Sequence, residues 1–481
     1  MESVQNSEYL SVFAYLFILQ HTNIMMMPHN NRLLQAQRTG TDSIPIDEGH
    51  ALLPERPLLL TESVSKQLVS QARLSGGAVR PLYGSLCFSS LPGLIEKSLL
   101  GETRRSCPDW LNAKALGDFD RVVFVFFDAF GWESFERFRD DSAALQRFNS
   151  DGLVLQTTSQ FPSTTATHVT TIMSGKSGYE HEVCGWDYYE PRAGRVIRPL
   201  KYLDSALPDT SPMSKLQSAT EDVLPGGDFL TGLMRAGVEL NLHGPAAYFP
   251  STYSSRYVSA QACQGYQTLE EGFGKVAQNL RQSGGKSYDY VYIDSYDTAC
   301  HKEGVGGRGP DEVARFVLAQ INGLIEKERH DKTLLIVSAD HGQIANKPGG
   351  SLKLQDFCPD IASYLKRDSR GEPIRFSGGP RYLFLHARED AAPALINQLS
   401  DKFADTASIL NMEELGGAGF LGPTPVANSY LERLGTIAIL PNPGYSVAWH
   451  EPPVFTKQDY SGHGGVSPQE METPLLLLPL S

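Results

Sequence analysis

Four short apolar runs, three leading into an aspartate and the fourth downstream of a histidine, constrain this chain more than any other feature. RVVFVFFD reaches Asp128, YVYIDSYD reaches Asp297, TLLIVSADHG contains Asp340 and His341, and PLLLLPL follows His463. Runs this brief, unbroken and rich in β-branched and aromatic side chains fit strands covered on both faces, as in a parallel sheet. DEVARFVLAQINGLIEKE, with apolar residues at helical spacing, stands between two of them, so strand, helix and strand alternate. The expected fold is α/β: a three-layer sandwich around a mostly parallel central sheet.

The chain has 481 residues, beyond the size at which one core usually stops growing, so a large domain with an inserted subdomain, or two domains, is expected. Residues 1–60 read as a tail or linker, 61–344 as the first part of the main domain, 345–455 as an inserted cap, and 456–481 as its C-terminal part. The segment before GHGG is too long for a loop and carries its own strand and helix patterns. Residues 186–260, with GWDYYEP and PSTYSSRY, read as long functional loops over the strand ends.

The formal charge of −13 leaves no basic footprint, so no nucleic-acid polymer is expected as partner. Six scattered cysteines without a C-x-x-C pair argue against a disulfide framework and fit a reducing compartment. The run YLSVFAYLFIL at residues 9–19 is too short for an ordinary membrane span. Glu2 and Glu8 precede it where a signal peptide carries positive charge, so cytoplasmic residence is placed above export. No feature fixes an oligomeric state.

Ligands of an open α/β sheet bind at the carboxyl ends of its strands, where three of the runs place an aspartate. In D-T-A-C-H, Asp297 and His301 are four residues apart, which on a helical turn puts both on one face. Asp340 and His341 are adjacent before a glycine, and His463 stands between glycines in S-G-H-G-G. Sorted by type, Asp128, Asp340, His341 and a threonine oxygen make one four-coordinate set, while Asp297, His301 and His463 make a second with an open position. Mixed Asp and His ligands suit two divalent ions, zinc first and manganese or iron as alternatives, and together they form a clamp for phosphoryl displacement. His21, His29, His50, His243, His330, His386 and His450 read as structural, as does His181.

FPSTTATHVTTIMSG at residues 161–175 sets Thr164 and Thr165 side by side at a helix start. A threonine there can cap the helix, or it can be the nucleophile, because helix starts also stabilise phosphate.

The chain resembles the alkaline phosphatase superfamily, and most closely its nucleotide pyrophosphatase/phosphodiesterase branch. FVFFDAFGW, FPSTTATHVTTIMSG with YEHEVCGW, YIDSYDTACHKEG, VSADHG and GHGGVSPQEMETPLLLLP carry the resemblance, in family order, from about residue 120 onward. It implies an alkaline phosphatase-like fold and hydrolysis of phosphodiester or pyrophosphate bonds in a small phosphoester substrate, a nucleotide among the candidates. Asp128, Asp340 and His341 match the ligands of the nucleophile-side metal, and Asp297, His301 and His463 those of the other. Thr165, ten residues before Gly175, matches the nucleophile, with Thr164 as the neighbouring alternative. Ser163 or Thr164 would then serve the helix backbone.

Two positions depart from the pattern. His168 is the third residue after Thr165, where relatives often carry an asparagine that holds the phosphoryl oxygen; it either takes that task, counted with Thr165 as catalytic, or only packs. Cys300 replaces a glycine between Asp297 and His301. No arginine lies near the threonines, and Trp186, Tyr188 and Tyr189 could stack on a base, both of which favour a diester over a monoester. A phosphomonoesterase of the same superfamily and a catalytically silent binding module are the alternatives. A sulfatase would need a C-x-P-x-R type motif, which CPDW at Cys107 does not supply.

Overall fold

The computed structural model describes residues 60–108, 118–327, 331–452, 454–455 and 459–480. The expected tail, except Leu60, and the apolar run at residues 9–19 lie outside the described residues.

The central sheet is built from β1 (Arg121–Phe127), β2 (Leu153–Thr158), β3 (Glu239–Pro245), β4 (Cys263–Tyr266), β5 (Ser287–Ile293), β6 (Thr333–Ser338) and β7 (Glu472–Leu480), in the spatial order β2-β7-β6-β1-β5-β3-β4. Alternate side chains of a strand face opposite ways, so an uninterrupted apolar run needs a cover on each side. In β1, Val122, Phe124 and Phe126 enter one core, and Val123, Val125 and Phe127 enter the other. Helices α1 (Leu91–Leu100) and α3 (Thr165–Ser174) line the first core, through Leu94, Ile95, Ile172 and Met173. Helices α2 (Ala143–Asp151), α4 (Leu269–Gln282) and α6 (Arg308–Lys327) line the second, through Leu145, Phe148, Val276, Leu280, Val317 and Ile321. The expected three layers are present.

Register sets the functional edge. Phe127 is level with Ile293, and Phe126 with Ser338, so Asp128, Asp294 and Asp340 leave the sheet on one side. PLLLLPL, grouped by its composition with the parallel runs, is antiparallel to both of its neighbours, β2 and β6. Topology requires it: His463 precedes β7, so the strand must begin at the edge where the others end.

Residues 186–260 are more ordered than the expected loops. They contain β3 of the central sheet and a three-stranded antiparallel sheet of Tyr188–Glu190, Arg195–Arg198 and Leu203–Asp204. Another antiparallel sheet, of Ser377–Gly379, Tyr382–Leu385, Ile437–Pro441 and Ala407–Asn411, lies in the segment before GHGG. Its Tyr382 and Phe384 join the first main core, while Leu383 and Leu385 pack on Leu395 and Leu399 of the helix Ala392–Phe403. Ile344–Ala345 pairs antiparallel with Ser461–Gly462, which brings the two ends of this segment together beside the site. Among the described residues no helix is long and apolar enough to cross a membrane.

Candidate active site

The two glycine-bearing motifs at the strand ends meet back to back. A Cβ on Gly131 would lie 2.6 Å from Gly342 Cα, and one on Gly342 would lie 2.1 Å from the Gln469 carbonyl oxygen. The glycine of DHG therefore permits close approach, and its φ is not among the positive values. Ala129 does adopt a left-handed φ of 64°, at a cost of about 1–2 kcal/mol, and its amide donates to Asp340 Oδ1 at 3.2 Å. The His341 amide donates to the same oxygen at 3.0 Å. Asp340 Oδ2 is buried without a hydrogen-bond partner, and His341 Nε2 lies 3.1 Å from it.

Thr165 opens α3, and Thr164 is its extended N-cap residue, with φ −136° and ψ 144°. The Thr165 Oγ1 atom lies 3.3 Å from Asp128 Oδ2 and 3.3 Å from His341 Nε2. The expected division of labour among the hydroxyls is not found. Thr164 makes no side-chain cap and instead meets the Tyr382 hydroxyl, while Ser163 Oγ donates to the Gly465 carbonyl at 2.8 Å.

Asp297 and His301 lie on α5 (Ser295–Glu303), the spacing that puts them on one face. His301 Nε2 is 3.5 Å and His463 Nε2 3.8 Å from Asp297 Oδ1. Gly464, beside His463, has φ 114°, and a Cβ there would lie 2.0 Å from the Tyr382 ring. Each imidazole uses Nδ1 on a backbone carbonyl: His341 on Gly342 at 3.0 Å, His301 on Ser461 at 3.0 Å and His463 on Ser163 at 3.1 Å. That arrangement turns all three Nε2 lone pairs toward carboxylates, the tautomer a metal-binding histidine takes.

The ligand atoms of Asp128, Asp340 and His341 all lie within 4.8 Å of one another, as do those of Asp297, His341 and His463. The first set is the one read from the sequence. The second differs: His301 stays near Asp297, but His341 takes its place in the tight group because its ring stacks on that of His463. Burial, followed by the charges of Asp340 and Asp297, pushes the Asp128 carboxyl well above its ordinary range, against the Tyr292 hydroxyl that donates to it at 2.6 Å. Burial also opposes charge on Asp340 and His341, yet each stabilises the other, so the carboxyl sits below and the imidazole above its ordinary value. An orphaned buried carboxylate oxygen, converging carboxylates and Nε2 lone pairs are a donor set that fits divalent cations.

A sequence model of the family "Type I phosphodiesterase / nucleotide pyrophosphatase" matches residues 122–466. The chain belongs to that family. As a family member it is a nucleotide pyrophosphatase/phosphodiesterase-type hydrolase with an alkaline phosphatase-like fold. Among solved structures it resembles human ectonucleotide pyrophosphatase/phosphodiesterase 5, with TM-score 0.55 and 14% identity over 74% of this chain and 87% of that one. The murine counterpart gives TM-score 0.54 and 15% identity over the same shares. An inactive form of the murine protein in complex with AMP gives TM-score 0.53 at 14% identity. No curated protein matches the sequence.

Other expected residues of this phosphodiesterase-family chain fall elsewhere. His168, read as catalytic, is fully buried with both ring nitrogens engaged: Nδ1 donates to the Thr164 carbonyl at 2.8 Å, and Nε2 takes the Gln160 amide at 3.0 Å. Neither nitrogen is left for a phosphoryl oxygen, so His168 ties the start of α3 to the chain leaving β2. Cys300 is buried in the second core and leaves the spacing of Asp297 and His301 intact. Tyr188 is buried, so of the expected stacking residues Trp186, 38% exposed, is the accessible one, with Tyr189 half-buried. His181, His243 and His386 are buried and hydrogen-bonded, as structural histidines should be.

Sequence reasoning missed Asp294, the true strand-end residue of YVYID, which accepts from the Tyr248 hydroxyl at 3.0 Å. It also missed Tyr292 behind Asp128, and Gln343 directly after DHG, whose amide meets Asp297. Adjacency to a recognised motif was the available signal for each.

Proposed function

We propose that this chain is a divalent-metal-dependent hydrolase of small phosphodiesters or pyrophosphates in which Thr165 is the nucleophile. The observation that carries the reading is the Thr165 hydroxyl oxygen, 3.3 Å from both Asp128 Oδ2 and His341 Nε2 at the first residue of a helix. Asp128, Asp340, His341 and Thr165 would hold one ion, and Asp297, His301 and His463 the other, with zinc preferred and manganese or iron as alternatives. Such ions, when bound, supply positive charge that eases deprotonation of a hydroxyl and departure of an oxygen leaving group.

The protein's own part is orientation. Helix α3 presents the Thr165 oxygen together with unpaired amides of its first turn, which take the phosphoryl oxygens as negative charge builds. The threonine oxygen bonds phosphorus as the bond to the leaving alcohol or phosphate breaks and the hydroxyl proton passes to that leaving group, and water then cleaves the phosphothreonine and restores the hydroxyl.

A diester or pyrophosphate is preferred to a monoester because, among the described residues, no lysine or arginine pairs with Asp128, Thr165, Asp340 or His341. Trp186, whose amide donates at 3.2 Å to the Tyr382 hydroxyl that also meets Thr164, is the group we assign to a base or apolar leaving group. The murine relative was solved with AMP, and a nucleotide is our reading for this chain as well. Residues 345–455 are read as the cap, and cytoplasmic residence fits six free cysteines.

The test is an assay of purified protein with zinc, manganese or iron against a chromogenic diester, a monoester, nucleotide sugars and dinucleotides. Metal-dependent turnover favouring diesters or pyrophosphates is expected. Protein that takes up none of these metals and turns over no phosphoester in their presence would leave the silent binding module standing instead.

A further inference from the structure

We infer that Gln343 is a positioning residue that fixes the Asp297 carboxylate, and through it one of the two metal positions; this rests on the proposed metal centre. Gln343 is buried, directly after Asp340, His341 and Gly342. Its Nε2 donates to the Asp297 backbone carbonyl at 3.2 Å and also to Asp297 Oδ1. Its Oε1 lies 2.5 Å from the Ser461 hydroxyl, which is also 2.6 Å from the Cys300 carbonyl. The Ser461 carbonyl in turn accepts from His301 Nδ1. One amide thus ties the DHG turn to α5, which bears Asp297 and His301, and to the loop that bears His463. The next residue, Ile344, pairs with Gly462 and keeps that loop in register.

The chemistry admits one orientation. Both Asp297 partners are acceptors, so only the NH2 end of the amide fits against them, and Oε1 must face the serine. Asp297 Oδ1 is also the oxygen nearest to His301 Nε2 and His463 Nε2, so Gln343 sets which carboxylate oxygen meets the imidazoles. A lysine or arginine could donate as well, but it would add positive charge beside a cation site. The neutral amide orients the ligand without competing with the ion. Asp340, by contrast, is held by the backbone amides of Ala129 and His341, so its position does not depend on Gln343.

The expected consequence is selective. Metal-depleted full-length protein is titrated with Zn2+ or Co2+ against a chelating dye. In Gln343→Met, which keeps the length and loses the donor, one binding step is expected to weaken by about 10- to 100-fold while the other is unchanged. Ser461→Ala, which frees only the Oε1 end, is expected to weaken the same step by less and carries the test if the Met variant does not fold. Two unchanged steps in Gln343→Met, or equal weakening of both with a lowered unfolding midpoint, would overturn the inference. A wild-type protein that binds neither ion would overturn the metal centre itself.

Discussion

The imidazoles of His341 and His463 stack face to face, with centroids 3.7 Å apart and planes 8° from parallel. One follows β6 and the other precedes β7, so the antiparallel strand is what brings them together. His341 alone belongs to both ligand groups. His341→Ala is therefore expected to lower metal content at both positions, whereas His301→Ala should spare the Asp128 and Asp340 group. Elemental analysis of the purified variants checks this, and a His341→Ala protein with wild-type metal content would contradict it.

Thr164 is extended and Thr165 is the first helical residue, and only Thr165 has its oxygen against Asp128 and His341. Thr165→Ala is expected to lower turnover of a chromogenic diester by on the order of 10³-fold or more. Thr164→Ala, whose hydroxyl meets Tyr382, should keep most of it. The reverse result would move the nucleophile by one position. Single-turnover trapping of a phosphorylated peptide would identify the residue directly.

Partners supplied only by the folded chain explain what the sequence could and could not show. β1, β5 and β6 were legible because runs such as RVVFVFF are apolar on both faces, and the aspartates after β1 and β6 were legible because a parallel sheet gathers strand ends. β2 and β3 were not. Gln156 and Thr157 are buried in β2 because Glu472 and Thr473 of β7 satisfy them, and His243 is buried in β3 against Asp289 of β5. Partners so distant in sequence leave no local pattern. The site divides the same way: charged ligands carry their own chemistry, but Gln343 and Tyr292 are neutral and acquire a role only from what they touch. His168 misled for the converse reason, since nothing local reveals that the Thr164 carbonyl and the Gln160 amide already occupy its ring.

That occupied ring has a pH consequence. Burial holds His168 neutral and takes its pKa from 6.5 down to about 4. Burial takes His181 and His386 down to about 3. Between these values and 6.5 the unfolded chain binds protons that the folded chain refuses, so stability must fall as pH drops through that window. Each group contributes about 1.4 kcal/mol per pKa unit at most. Urea unfolding of the wild type at pH 7 and pH 5 is expected to show the loss, and His168→Gln should show a smaller difference between the two. Equal differences in both proteins would mean that His168 does not titrate on unfolding.

A buried ion pair holds the last element of the site. Arg381 and Glu470 are 1% and 0% exposed and meet through two bonds of 3.0 and 2.7 Å. Arg381 also donates to the carbonyls of Asn442 and Tyr445, while Glu470 takes the Gly465 amide at 2.9 Å and the Ser467 hydroxyl at 2.7 Å. Burial alone would disfavour the charge on Glu470, yet Arg381 keeps its carboxyl below the ordinary range. Arg381→Met strands that carboxylate and is expected to destabilise the fold by about 3–5 kcal/mol. Adding Glu470→Gln removes the stranded charge and should recover part of the loss. Because Gly465 is two residues from His463, the single variant should also bind metal more weakly than the double one. Unfolding midpoints and metal titrations of the three proteins check both statements, and additive effects of the two substitutions would show that the pair is not coupled.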